Sequence, residues 1–155
     1  MERNPLHLDL LMTDFDTKPT LLPKILIVDD EPVIGELLTY GLQRQYEVTF
    51  ANDGASAIGH LHRRQDWDVI LCDMMMPKTS GMQVYQECKD LVPSLLPRFV
   101  FMTGGASTKE AVDFIKANTP KVLEKPFTLR TIRTHLETVL TERGRNIAGE
   151  NSKQA

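Results

Sequence analysis

Two adjacent carboxylates, Asp29 and Asp30, stand directly after the apolar run KILIV (24–28). A third, Asp73, follows DVILC (68–72). Thr103, Gly104 and Gly105 follow RFVFM (98–102), and Lys125-Pro126-Phe127 follows KVLE (121–124). Two carboxylates ~4 Å apart repel by about 4 kcal/mol at an effective dielectric near 20. Three packed together either shift their pKa values upward or hold a cation. One Lys cannot neutralise three acids, and an all-oxygen set suits a hard divalent ion. A site with few protein ligands suits Mg²⁺, which keeps several waters and recruits a phosphate oxygen. Lys125 would then serve as a point charge for that phosphate, and Thr103 could donate a hydrogen bond to another phosphoryl oxygen. Gly104 and Gly105 project no side chain over the approach.

Such a site needs elements that bring its residues together. The apolar runs are short and rich in β-branched residues, with YEVTFA (46–51) making a fifth. Helical patterns separate them. The first places Val33, Ile34, Leu37, Leu38, Gly41 and Leu42 on one face, with Pro32 in the first turn. The second follows the turn Asn52-Asp53-Gly54 and carries Ala57, Ile58 and Leu61. The third has a capping-box spacing at Ser80 and Gln83, and the fourth repeats it at Ser107 and Glu110. The fifth begins near Thr128 and carries Leu129, Ile132, Leu136, Val139 and Leu140. Five βα units predict a parallel α/β sheet with helices on both faces. In such sheets ligands bind beyond the carboxyl ends of the strands, where all five candidate residues fall.

Residues 1–23 read as an N-terminal arm broken by Pro5, Pro19 and Pro23, with Leu6, Leu8 and Leu10 alternating. Residues 24–142 form the domain, and 143–155 read as a polar tail without periodicity. The net charge of −3 gives no reason to expect a nucleic-acid partner. No apolar run approaches the ~20 residues needed to cross a bilayer, so no membrane partner is expected. Cys72 and Cys88 match no metal spacing and read as buried thiols of a reduced, cytoplasmic protein. His7, His60, His62 and His135 are scattered and receive no catalytic role. The run Met74–Met76 reads as loop and packing.

The segments VDDE (28–31), LCDMMMPKTSG (71–81), FMTGG (101–105) and LEKPF (123–127), in this order and at βα spacing, resemble the receiver domain of two-component response regulators. The resemblance covers about Lys24 to Leu140. It implies a flavodoxin-like, doubly wound five-stranded parallel sheet of order 2-1-3-4-5 with five helices. By motif matching, Asp73 would be the phosphoacceptor and Asp30 a direct Mg²⁺ ligand. Asp29 would act mostly through water, and the backbone carbonyl of Met75 would be the third protein ligand. Lys125 and Thr103 would hold the phosphoryl group, and the Lys125–Pro126 peptide would be cis. The partners implied are a sensor histidine kinase or phosphotransfer domain and an unidentified downstream protein.

The chain departs from the family at Val122, where an aromatic residue is common. Two positions that tune phosphoryl lifetime in the family are Met75 and Gly105 here; neither side chain can orient a hydrolytic water. The expected role is a signalling switch rather than an enzyme. The competing class is a pseudo-receiver, an interaction module without phosphate chemistry, which typically lacks an acid or the Lys. A Mg²⁺-dependent phosphatase would want a second acid at position 75, and no P-loop signature is present.

Overall fold

A computed structural model describes residues 21–153 apart from 105–107, with side chains described as far as residue 144. The Leu6, Leu8 and Leu10 alternation, Gly105 and Ser107 therefore lie outside the described residues. Five strands alternate with helices: β1 (Lys24–Val28), α1 (Pro32–Leu42), β2 (Glu47–Ala51), α2 (Gly54–Arg63), β3 (Val69–Asp73), α3 (Gly81–Leu91), β4 (Phe99–Gly104), α4 (Lys109–Asn118), β5 (Lys121–Lys125) and α5 (Leu129–Lys153). A 3₁₀ turn, Pro93–Arg98, links α3 to β4. The strands form one parallel sheet in the order β2-β1-β3-β4-β5. This is the expected flavodoxin-like order.

Alternation along the strands divides the core in two. Ile25, Ile27, Val69, Leu71, Val100, Met102 and Leu123 pack with Leu38 and Leu42 of α1 and Ile132, Leu136 and Val139 of α5. Their neighbours Leu26, Val28, Ile70, Cys72, Phe99 and Phe101 pack with α2, α3 and α4. Because both faces are covered, β3 is buried at every position, which explains why residues 69–72 ahead of Asp73 are a continuous apolar run. Each fully buried Leu, Ile or Phe contributes roughly 1.5–3 kcal/mol.

Local signals set most helix starts. Asp53 accepts from the Ser56 N–H at 2.6 Å, and Ser80 and Gln83 complete a reciprocal capping box. Thr128 accepts from Thr131 N–H at 3.2 Å ahead of α5. At α4 the cap is Thr108, which accepts from Ala111 N–H at 3.1 Å, one position later than the predicted pair. The helix α5 also exceeds the reading of 143–155 as a tail, since it continues to Lys153. Once Ile132, Leu136 and Val139 anchor the helix, each further residue adds a hydrogen bond without a new nucleation cost.

On α1 the sequence placed six residues on one face, but Val33 (73% exposed) and Leu37 (54%) lie outside the core. The helix packs beside the edge of the sheet, so only the flank carrying Ile34, Leu38 and Leu42 reaches β1 and α5. Gly35 and Gly41 are contact points of that packing. A Cβ at 35 would stand 2.2 Å from the Phe50 ring, and one at 41 would stand 2.7 Å from the Leu129 methyls.

Candidate functional site

Asp29 follows β1 immediately and keeps the alternation of Ile25 and Ile27. Asp73 keeps that of Val69 and Leu71, and Lys125 that of Leu123. All three side chains therefore leave the carboxyl edge of the sheet on the side of α1 and α5. The register sets their spacing: Val28 pairs with Cys72, Asp73 with Met102, and Gly104 with Lys125. Donor oxygens of Asp29, Asp30 and Asp73 lie within 4.8 Å of one another. The Lys125 ammonium donates to Asp29 Oδ2 at 2.9 Å and to Asp73 Oδ2 at 3.3 Å. Asp29 and Asp73 are buried, and Asp30 is exposed.

The electrostatics follow from burial and spacing. Burial pushes the Asp73 carboxyl up to about 6; Lys125 pulls it down and Asp29 pushes it further up. Burial lowers the Lys125 ammonium, but its bonds to Asp29 and Asp73 outweigh that and hold it above the ordinary lysine range. Cys72, fully buried beside Asp73, has its thiol pushed well up by burial and then by the two carboxylates, so it stays protonated and inert. Backbone donors complete the pocket. The Met75 N–H donates to Asp73 Oδ1 at 3.2 Å, and the Glu31 N–H donates to Asp29 Oδ1 at 2.9 Å.

Three all-oxygen donors facing one small space, one of them solvent-facing, fit a hard divalent ion that retains water. Thr103 stands one residue beyond Met102, the partner of Asp73, on the opposite alternation and half-buried. Met75 directs its N–H at Asp73 while its side chain is 43% exposed. The Lys125–Pro126 peptide is cis. Val122 pairs with Phe101 and lines a hollow of about 320 Å³ with Lys121, Thr134, His135 and Thr138. The aromatic residues near it are instead Phe101, Phe114, Tyr85 and Phe99, joined edge to face at 5.1–5.5 Å between ring centres in their T-shaped pairs.

One residue supporting the site was not anticipated. Gly81 presses against the backbone of Asp73; a Cβ there would meet the Asp73 carbonyl oxygen at 2.2 Å. Its N–H donates to the Met74 carbonyl at 2.9 Å, which folds the β3–α3 loop back over the acid. Its signals in the sequence were its place at the end of LCDMMMPKTSG (71–81) and directly after the capping Ser80, and neither assigned it a role.

Residues 25–137 match the family described as the response regulator receiver domain. The chain belongs to that family. It is 31% identical over 121 residues to the probable transcriptional regulatory protein TcrX of Mycobacterium tuberculosis, covering 77% of this chain and 50% of that one. It is 29% identical to the response regulator receiver protein CpdR of Brucella abortus, covering 77% of this chain and 98% of that one. Against TcrX and the Bacillus subtilis regulator PhoP, the receiver chain spans about half of the relative's length. A solved receiver domain from Clostridium thermocellum superposes with a TM-score of 0.71 at 26% identity, covering 79% of this chain and 98% of that one. The Vibrio cholerae chemotaxis protein CheY4 gives 0.67 at 27% identity, with 77% and 99% covered. The receiver is thus a signalling module of the response-regulator kind. Among its described residues no helix is long and apolar enough to cross a membrane.

Proposed function

We propose that this receiver is a Mg²⁺-dependent phosphoacceptor switch, with Asp73 as the acceptor and a histidine kinase or phosphotransfer domain as the donor. The observation that carries it is the convergence of Asp29, Asp30 and Asp73 within 4.8 Å, with Lys125 bonded to two of them. An Asp73 oxygen forms a bond to phosphorus as the phosphorus–nitrogen bond of a phosphohistidine breaks. The electron pair returns to the imidazole, which takes a proton from solvent. Asp30, Asp73 and the Met75 carbonyl would hold the ion, with Asp29 acting through water. Bound Mg²⁺ supplies charge neutralisation for the incoming phosphoryl oxygens. Lys125 then exchanges its bond to Asp73 for one to a phosphoryl oxygen, and Thr103 donates to another.

The output is a changed surface around α4 and β5, presented to a downstream protein. Phosphorylation alters that surface only by its differential stabilisation of two states. Incubation with a small phosphodonor and Mg²⁺, followed by intact-mass measurement, tests the proposal. One phosphate-sized gain is expected in the parent chain and none in Asp73→Asn. No gain in either would make the protein an interaction module without phosphate chemistry.

A further inference from the structure

Three methionines in a row follow Asp73, chemically identical and differently placed. Met74 continues the strand: its N–H donates to the Met102 carbonyl at 3.0 Å, and its side chain is fully buried. Met76 returns to the same core cluster and is 8% exposed. Met75, between them, is turned round. Its N–H points inward to Asp73 Oδ1 at 3.2 Å, and its side chain is 43% exposed. The turn is pinned behind it by the Gly81 N–H, which donates to the Met74 carbonyl at 2.9 Å. An exposed thioether is thereby fixed beside the acceptor carboxyl.

The other sulfur atoms of the described residues are sheltered. Met82 and Met102 are buried, as are Cys72 and Cys88. Burial also pushes the Cys88 thiol up to about 11, so it offers no accessible thiolate to compete for an oxidant. Among the described residues, a dissolved peroxide therefore meets Met75 first. The sulfur lone pair attacks one peroxide oxygen and the oxygen–oxygen bond breaks. The departing hydroxide takes the proton of the transferred hydroxyl, leaving a sulfoxide and water. Sulfur is oxidised and the peroxide reduced. Methionine sulfoxide reductases reverse the change at the expense of thiols, which become a disulfide.

The product differs from the thioether in one respect that matters beside Asp73. A thioether is a weak acceptor and orients no water. A sulfoxide is polar, and its oxygen accepts a strong hydrogen bond. A water donating to that oxygen keeps a lone pair free for phosphorus. As the new bond forms, the bond from phosphorus to the Asp73 oxygen breaks and its electron pair returns to the carboxylate. The water's proton leaves with the phosphate.

We propose that Met75 is a peroxide-sensitive modification site whose sulfoxide shortens the life of the phosphoryl group on Asp73. The inference rests on Asp73 being the phosphoacceptor. It makes the switch responsive to oxidant as well as to its phosphodonor.

The test treats the full chain with limited hydrogen peroxide, stops the reaction with catalase, and maps the tryptic peptides. Peptide 65–78 carries Met74, Met75 and Met76, which fragmentation separates. Sulfoxide is expected at Met75 ahead of Met74, Met76, Met82 and Met102. Treated and untreated chains are then phosphorylated with a small phosphodonor and Mg²⁺, the donor is removed, and intact mass is followed. The treated chain should lose phosphate several-fold faster, and sulfoxide reductases acting on both epimers should restore the slower rate. Met75→Leu, compared with its own untreated sample, should not respond to peroxide. Oxidation without preference for Met75 overturns the proposal, as does an unchanged rate once Met75 is converted, or an equal response in Met75→Leu. A change in the emission of the buried Trp67 on oxidation would assign the effect to loss of the fold and also overturn it. Failure of the untreated chain to gain phosphate would instead sink the acceptor reading, and this proposal with it.

Discussion

Asp29 and Lys125 are separated by 96 positions in the chain and by 2.9 Å in space. Asp29 is fully buried, and the ammonium bonded to it is the cation that accompanies it into the interior. The same ammonium reaches Asp73 at 3.3 Å, so one charge serves two acids.

Removing that cation leaves a buried carboxylate without its partner. Lys125→Met should destabilise the metal-free protein by about 3 kcal/mol at neutral pH. Urea unfolding in the presence of a chelator measures this. Added Mg²⁺ should restore part of the loss, because it replaces the missing positive charge.

The raised carboxyl of Asp73 makes stability depend on pH in a defined direction. Its value is pushed up to about 6 in the folded chain, mainly by burial, against ~3.9 when unfolded. Between these values the folded state holds a proton that the unfolded state has released. The contribution is therefore complete below about 4 and lost as pH rises through about 6. Without metal, the urea midpoint of the parent should fall relative to Asp73→Asn across this window and run parallel above it. Stabilisation by Mg²⁺ should grow over the same window, since the ion needs the ionised acid.

Met75 bears on the lifetime of the proposed acyl phosphate. Its half-exposed side chain stands two residues after Asp73 and has no group to orient a water. Met75→Asn supplies a hydrogen-bonding amide there and should speed phosphate loss several-fold. Intact mass followed over time after removal of the phosphodonor reports the rate; an unchanged rate would show that this position does not control the water.

Gly81 joins folding to the site. Its missing side chain admits the Asp73 carbonyl, and the obstacle to a Cβ is backbone that cannot rotate away. Gly81→Ala should cost about 2 kcal/mol and slow phosphorylation by displacing Asp73. For stability, Gly104→Ala is the control, because nothing lies within 4 Å of a Cβ there.

Lys78 sits in the β3–α3 loop at φ 67°, a left-handed conformation that an L side chain resists. Lys78→Gly removes that resistance but adds freedom to the unfolded chain, leaving a net gain of about 0.5 kcal/mol. Thermal unfolding should show a small upward shift.

The strands and the residue types at their ends were legible because each is a local property. A buried parallel strand is apolar along its length, so the runs ahead of Asp29, Asp73 and Thr103 stand out; β5, an edge strand with Glu124 exposed, shows the pattern less. The Ser80–Gln83 cap was legible for the same reason, since both partners lie within one turn. The start of α4 was less so: Ser107 and Thr108 are both capping residue types, and the cap observed is Thr108.

What the sequence by itself determined was the type of sheet and the set of charged residues delivered to one edge. Tertiary structure decided which of those charges touch: Lys125 lies closer to Asp29 than to Asp73, a choice set by strand register and burial. It also decided that Val33 and Leu37 stay outside while Gly35 goes in. Helical spacing defines a face only up to rotation about the axis, and the Phe50 ring on a neighbouring strand fixes that rotation by fitting only against a residue without a side chain.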